Sequence, residues 1–188
     1  MEIRWHGRGG QGVWSISNIL AEAAIREGKY AQSFPTFGPE RMGAPIAAFT
    51  RISEDEISIH SGIYQPDAVV VLDSSLIGSE NFVHGLKPGG ILLLNYPSDI
   101  NIKELSNLIR NDLSAYKVYV LPATELALKL LGRPITNTSM LGALLKVLPV
   151  VRFDAVEEVI RGRFKGSVAE KNIEVLRKSY ESVVYVRD

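Results

Sequence analysis

Six residues near the start of the chain, Gly7-Arg8-Gly9-Gly10-Gln11-Gly12, have the composition of an anion-holding turn. They follow a short apolar stretch and precede a segment with helical periodicity. Bare backbone at such a turn can approach a phosphate closely, and the helix start adds unpaired N–H groups and a partial positive charge. Arg8 contributes a forked donor suited to phosphate oxygens. Gly7, Gly9 and Gly12 also satisfy G-x-G-x-x-G, a pattern that is weak evidence alone. The dinucleotide reading wants an acid about 20 residues further on, at the end of the next strand. Tyr30-Ala31-Gln32-Ser33-Phe34 supplies none, which counts against NAD. The Gly-Lys-Ser/Thr ending of a P-loop is missing too. The bland alternative is a tight strand-to-helix turn with no ligand.

Other polar residues carry less. Glu40-Arg41 is an isolated charge pair in an apolar stretch. Arg41 can clamp a carboxylate or phosphate with Glu40 orienting it, or the pair can hold its own loop or bridge to a partner chain. Asp73 ends an apolar run, where α/β proteins place ligand groups, yet an N-cap for the next helix is the better expectation. His6, His60 and His84 lack metal-ligand spacing, and no Ser–His–Asp order or carboxylate pair stands out. No catalytic residue and no metal ligand is assigned. Trp14 lies off the apolar stripe of its helix and is expected exposed.

The elements that would position these residues read as α/β. Residues 2–6 form a first strand broken by Gly7. Residues 13–25 carry apolar side chains at helical spacing, with Gly28 as the stop. Residues 30–49 hold three prolines and several aromatics, which predicts an ordered loop packed on something. Ala47–Ile52 reads as a strand and Glu56–His60 as another, joined by Glu54-Asp55. Ala68–Leu72 and Gly90–Leu94 are continuous apolar runs, the habit of strands buried on both faces of a parallel sheet. Tyr116–Leu121 is a weaker third. Helices are predicted over 74–86 and 101–113. Leu141, Leu144, Leu145 and Leu148 form a helical stripe capped by Asn137 or Thr138. Ile173, Leu176, Tyr180, Val183 and Val184 form another. The expected fold is α/β over 1–188 as a single domain: a mostly parallel central sheet flanked by helices, with a glycine-rich strand-loop-helix at the N-terminus and a helical C-terminus.

Composition limits the function classes. Lys plus Arg and Asp plus Glu are 21 each in 188 residues, so no net charge draws the chain to nucleic acid or an anionic membrane. Near-zero charge also suits life inside an assembly. There is no Cys, which removes disulfides, thiolate nucleophiles and thiolate-ligated iron–sulfur clusters. No apolar run long enough for a membrane span appears. The N-terminus lacks a signal-peptide core, and a cytoplasmic protein is expected.

Five segments together resemble the gamma subunit of 2-oxoacid:ferredoxin oxidoreductases. They are Gly7–Val13, Ser33-Phe34-Pro35-Thr36-Phe37-Gly38-Pro39-Glu40-Arg41-Met42-Gly43-Ala44-Pro45, Pro66-Asp67 with Val69–Asp73, Pro134–Ala143 and Ala169-Glu170-Lys171-Asn172. They cover nearly the whole chain in family order. The form of the second segment is most similar to the pyruvate and branched-chain types. One departure is Arg41-Met42-Gly43, where the family often has a second arginine. The resemblance implies a non-catalytic subunit that contributes to coenzyme A binding and covers the active site. Its complex would decarboxylate a 2-oxoacid to acyl-CoA and pass electrons to ferredoxin. Thiamine diphosphate and iron–sulfur clusters would sit on the alpha, beta and delta partners. The implied coenzyme A contacts are Gly7, Arg8, Gly9, Gly10, Gln11, Gly12, Glu40, Arg41, Asn137 and Thr138. The small subunit of indolepyruvate:ferredoxin oxidoreductase and a free dinucleotide-binding protein are the alternatives.

Overall fold

A computed structural model describes residues 1–36, 42–59 and 61–187. Glu40, Arg41 and His60 lie outside the described residues. A seven-stranded sheet runs in the order β2-β3-β1-β4-β5-β6-β7. Its strands are β1 (Glu2–Arg8), β2 (Tyr30–Pro35), β3 (Pro45–Ser53), β4 (Ala68–Val71), β5 (Ile91–Asn95), β6 (Lys117–Leu121) and β7 (Val184–Tyr185). The middle of the sheet, β1-β4-β5-β6, is parallel, while β2, β3 and β7 join antiparallel at the two sides. The apolar runs of β4 and β5 are fully buried. Alternation sends Val70, Leu72 and Leu93 to one core and Val69, Val71, Leu92 and Leu94 to the other, as the period of two requires.

The first core is filled by α1 (Val13–Arg26), α4 (Asn137–Val147), α5 (Phe153–Arg163) and α6 (Ser167–Ser182). The second lies under α2 (Ile102–Ile109) and the segment 74–86. Helix α3 (Ala123–Leu131) links β6 to α4. Helices α4 and α6 run parallel at a constant offset. Thr138 bonds Asn172, Gly142 abuts Leu176, and Lys146 sits over the Tyr180 ring. Each pair steps one helical turn along both helices. A Cβ on Gly142 would stand 2.2 Å from the Leu176 carbonyl oxygen, so only glycine lets the two backbones meet this closely.

Several expectations are corrected. The first strand does not break at Gly7 but continues through Arg8, because β3 pairs with it as far as Pro45. Tyr30–Pro35 is a strand rather than loop. It lies at the sheet edge, where Pro35 costs no ladder bond that both neighbours need. Glu56–Ile59 is not a strand: β3 already has neighbours on both sides, and the Ile59 carbonyl accepts from the Arg51 side chain instead. Residues 74–86 form a single 3-10 turn, Ser74–Leu76, followed by further turns rather than a helix. Gly78 and Gly85 both take positive φ there, and a Cβ on Gly85 would stand 2.1 Å from the Tyr64 carbonyl oxygen. Val183 and Val184 do not extend the α6 stripe, because Val184 and Tyr185 pair with β6. Helices α3 and α5 were not anticipated.

Candidate functional site

The glycine turn joins β1 to α1 at the C-terminal edge of the parallel strands. Three of its glycines, Gly7, Gly10 and Gly12, stand where a side chain would be crowded or strained. A Cβ on Gly7 would meet Val13 Cγ2 at 2.6 Å, and one on Gly12 would meet Asn137 Nδ2 at 2.5 Å. Gly10 and Gly12 also hold φ of 93° and 74°, a region that side chains disfavour.

One flank of the turn is closed by its own side chains. Gln11 Oε1 accepts from the Arg8 amide at 2.7 Å, and Gln11 Nε2 donates to Asp73 Oδ2 at 2.5 Å. The Arg8 guanidinium donates to Ser75 Oγ and to the Gly43 carbonyl, and stands 3.6 Å from Asp73 Oδ2. The Gly9 amide bonds the Ala44 carbonyl, and the Gly43 amide returns to the Gly9 carbonyl. Asp73 caps the 3-10 turn through the Ser75 amide, the role expected of it. Burial pushes the Asp73 carboxyl up, but hydrogen bonds from Ser75 and Gln11, with the Arg8 charge, outweigh it and hold the carboxyl below its usual range. Arg8 is therefore largely spent on protein groups.

The other flank is open. Among the described residues, the amides of Gly10, Gly12, Val13, Trp14 and Ser15 have no hydrogen-bond partner. Among the described residues, no side chain caps α1. Gly12 and Ser15 line a cleft of about 530 Å³ with Asn137, Asn172, Arg133, Lys171 and the apolar Leu131, Ile135, Phe164 and Val168. That volume suits a small-molecule ligand. Three helices present their N-terminal residues to the cleft: α1 through Gly12 and Ser15, α4 through Asn137, and α6 through Ser167 and Val168. The amides of Ser167 and Val168 are likewise unpartnered among the described residues. No carboxylate stands among the described lining residues. Fixed N–H dipoles, two cations and no acid favour an anion.

The fourth and fifth sequence segments meet the first here. Neither Asn137 nor Thr138 is the N-cap of α4, as had been expected. Thr136 takes that position, and its hydroxyl donates to the Leu72 carbonyl instead of capping. Asn137 Oδ1 accepts from the Thr138 amide, which leaves Nδ2 toward Gly12. Thr138 is buried, and its hydroxyl bonds Asn172 Oδ1 at 2.9 Å. It thus sets the cleft wall through Asn172. The sequence reading missed Ser15, Arg133, Lys171 and Asn172. Lys171 and Asn172 stand inside a quoted segment and Arg133 directly before another, but nothing in their spacing places them beside residue 12.

Trp14 is 51% exposed, as its place off the apolar stripe predicts. His6 Nε2 accepts from Arg4 Nε at 3.0 Å, and burial with the Arg4 charge lowers the imidazole to about 3, so it is neutral. The classical dinucleotide unit is missing: β2, the strand after α1, is separated from β1 by β3. That arrangement disfavours the dinucleotide alternative independently of the absent acid. No described helix is long and apolar enough to cross a membrane.

The family model for pyruvate ferredoxin/flavodoxin oxidoreductase matches residues 2–182. The chain is 46% identical over 184 residues to the pyruvate/ketoisovalerate oxidoreductases common subunit gamma of Thermococcus litoralis, covering 98% of this chain and 97% of that one. It is similar to the crystal structure of pyruvate oxidoreductase subunit PORC from Thermotoga maritima, with a TM-score of 0.85, 41% identity and coverage of 98% and 97%. A 2-oxoglutarate:ferredoxin oxidoreductase from Magnetococcus marinus, solved with 2-oxoglutarate, coenzyme A and succinyl-CoA bound, shares the fold. The TM-score is 0.79 at 23% identity, covering 96% of this chain and 30% of that one.

Proposed function

The chain belongs to the pyruvate ferredoxin/flavodoxin oxidoreductase family, and from that premise we propose that it is the non-catalytic gamma subunit that helps hold coenzyme A. It is a subunit of a 2-oxoacid:ferredoxin oxidoreductase, and residues 1–188 act as one gamma-type domain. The names of its relatives favour pyruvate and ketoisovalerate over indolepyruvate as substrates. Alpha, beta and delta partners carry the thiamine diphosphate and iron–sulfur clusters. A chain without Cys cannot hold such clusters through thiolates. The isolated chain is inactive on this reading, and in the complex it covers the active site.

The single observation that carries the coenzyme A reading is the start of α1, where Gly12 and Ser15, both with amides unpartnered among the described residues, line a cleft whose described lining holds no acid. Phosphate oxygens would accept from these amides and from Asn137 Nδ2. Coenzyme A supplies the thiol that accepts the acyl group. This chain supplies binding and orientation, which lower the entropic cost of bringing the thiol to its partner.

Ser15→Asp in the assembled enzyme is the test. Ser15 is the third residue of α1, where a carboxylate favours the helix, so folding is preserved while the new charge opposes a phosphate. The expected result is a Michaelis constant for coenzyme A raised about tenfold, with that for the 2-oxoacid unchanged. A change confined to the 2-oxoacid constant, or no change, would remove the phosphate role.

A further inference from the structure

Arg133 and Lys171 reach the cleft from elements that owe nothing to the glycine turn. Arg133 lies in the connection from α3 to α4, and Lys171 lies on α6. Several exposed cations elsewhere on this surface are paired, Arg26 and Arg163 with Glu22, Arg152 with Asp154, Arg177 with Glu157 and Lys178 with Glu181. Lys103, Arg110, Lys117, Lys129 and Lys165 are exposed without a carboxylate partner among the described residues. Arg133 and Lys171 differ from these in lining a cleft. Neither Arg133 nor Lys171 has a carboxylate within ion-pair distance among the described residues. Two unneutralised charges therefore border one cleft in a chain whose net charge is zero.

The cleft thus offers two different kinds of anion donor. Backbone amides at helix starts are fixed in direction and carry partial charge, which suits bridging phosphate oxygens that bear about one negative charge per group. Arg133 and Lys171 are long, mobile and fully charged, which suits a terminal phosphate monoester carrying about −1.5 to −2 at neutral pH. Between them, Leu131, Ile135, Phe164 and Val168 form an apolar wall with one aromatic ring, a surface that a nucleobase can cover. A base, a diphosphate and a separate phosphate monoester make up the nucleotide end of coenzyme A.

We infer that the cleft takes this nucleotide end, and that Arg133 and Lys171 select for its 3′-phosphate. The inference rests on the coenzyme A reading above and adds both the end that is bound and the residues that discriminate. Neither side chain makes a hydrogen bond within the described protein, and both are exposed, so Arg133→Ala and Lys171→Ala leave the fold intact.

The experiment is titration calorimetry of the assembled enzyme with coenzyme A and with dephospho-coenzyme A, which lacks only the 3′-phosphate. Michaelis constants for the two compounds serve as a second readout. The wild type is expected to prefer coenzyme A by tenfold or more. Each alanine variant should weaken coenzyme A about tenfold and leave dephospho-coenzyme A within about twofold, so the preference collapses. Lys171→Arg should retain most of it. The inference is overturned if the wild type shows no preference, if the variants weaken both compounds alike, or if they weaken neither. Ser15→Asp separates the two levels of the argument, since it should weaken both compounds through their shared diphosphate. If it does while Arg133→Ala and Lys171→Ala are silent, the coenzyme A reading stands and the 3′-phosphate assignment falls. If Ser15→Asp changes neither compound, the reading itself falls.

Discussion

On one flank of the glycine turn, Arg8, Gln11, Asp73, Ser75 and Gly43 are hydrogen-bonded to one another. On the other, Gly12 and Ser15 carry amides with no described partner, and Arg133 and Lys171 carry charges with none. A few residues of one sequence motif thus perform two different tasks. The locked flank fixes where the turn stands on the sheet edge. The open flank leaves its donors unpartnered among the described residues. A glycine-rich motif read as a whole conceals this division, because the residue with the most evident affinity for phosphate, Arg8, lies on the flank that is already occupied.

Gln11→Ala should have the largest effect and should break the comparison from the locked side. It removes the acceptor for the Arg8 amide and the donor to the Asp73 carboxylate, at a cost of about 2 kcal/mol in denaturant unfolding of the chain. If it moved the coenzyme A constant with no loss of stability, the two flanks would not be separate. Ser15→Asp approaches from the open side, with the opposite signature: a coenzyme A constant raised about tenfold and a melting temperature unchanged or higher.

The locked flank also predicts an acid response. The Asp73 carboxyl titrates lower in the folded chain than in the unfolded one. Its stabilising contribution is therefore complete above the ordinary Asp range, near pH 4, and is lost as pH falls through the folded value. In Asp73→Asn, urea midpoints measured across that range should be lower at neutral pH and should fall less steeply below about pH 4. The wild-type curve also contains His6. That residue is neutral in the fold down to about 3 while its unfolded counterpart protonates from about 6.5, so loss of stability between pH 6.5 and 5 belongs to His6 and persists in Asp73→Asn. The smallest expected effect is ionic. Raising salt from about 50 to 200 mM should weaken coenzyme A binding severalfold through the exposed Arg133 and Lys171, and less in Lys171→Ala. The urea midpoint attributable to Gln11 should barely respond.

How legible the molecule was depended on the range of the interactions involved. The apolar runs at 68–72 and 90–94 announced parallel strands, because a strand buried on both faces has no polar positions to spare. The anchoring role of Asp73 followed from its place after such a run. The segment 74–86 was misread because its apolar residues, including Leu76, Phe82 and Val83, are buried while Gly78 and Gly85 bend the backbone out of a helix. Strand β2 was hidden by Pro35 and the prolines that follow it in the sequence, since an edge position tolerates what a central strand excludes. Glu56–Ile59 alternated like a strand, but β3, which it follows, already has a neighbour on each side.

The sequence by itself determined the anion-friendly chemistry of the turn, the α/β class and the absence of thiolate ligands, because these follow from residue types and local spacing. Only the tertiary structure decided which flank of the turn stays open and which cations face it. Those outcomes depend on contacts between residues more than a hundred positions apart, such as Gly12 against Asn137. They depend also on the parallel register of α4 and α6, which Gly142 permits by letting the two backbones meet and which carries Lys171 and Asn172 to the start of α1. Packing sets that register through shape and excluded volume, and a linear pattern of residues does not encode it.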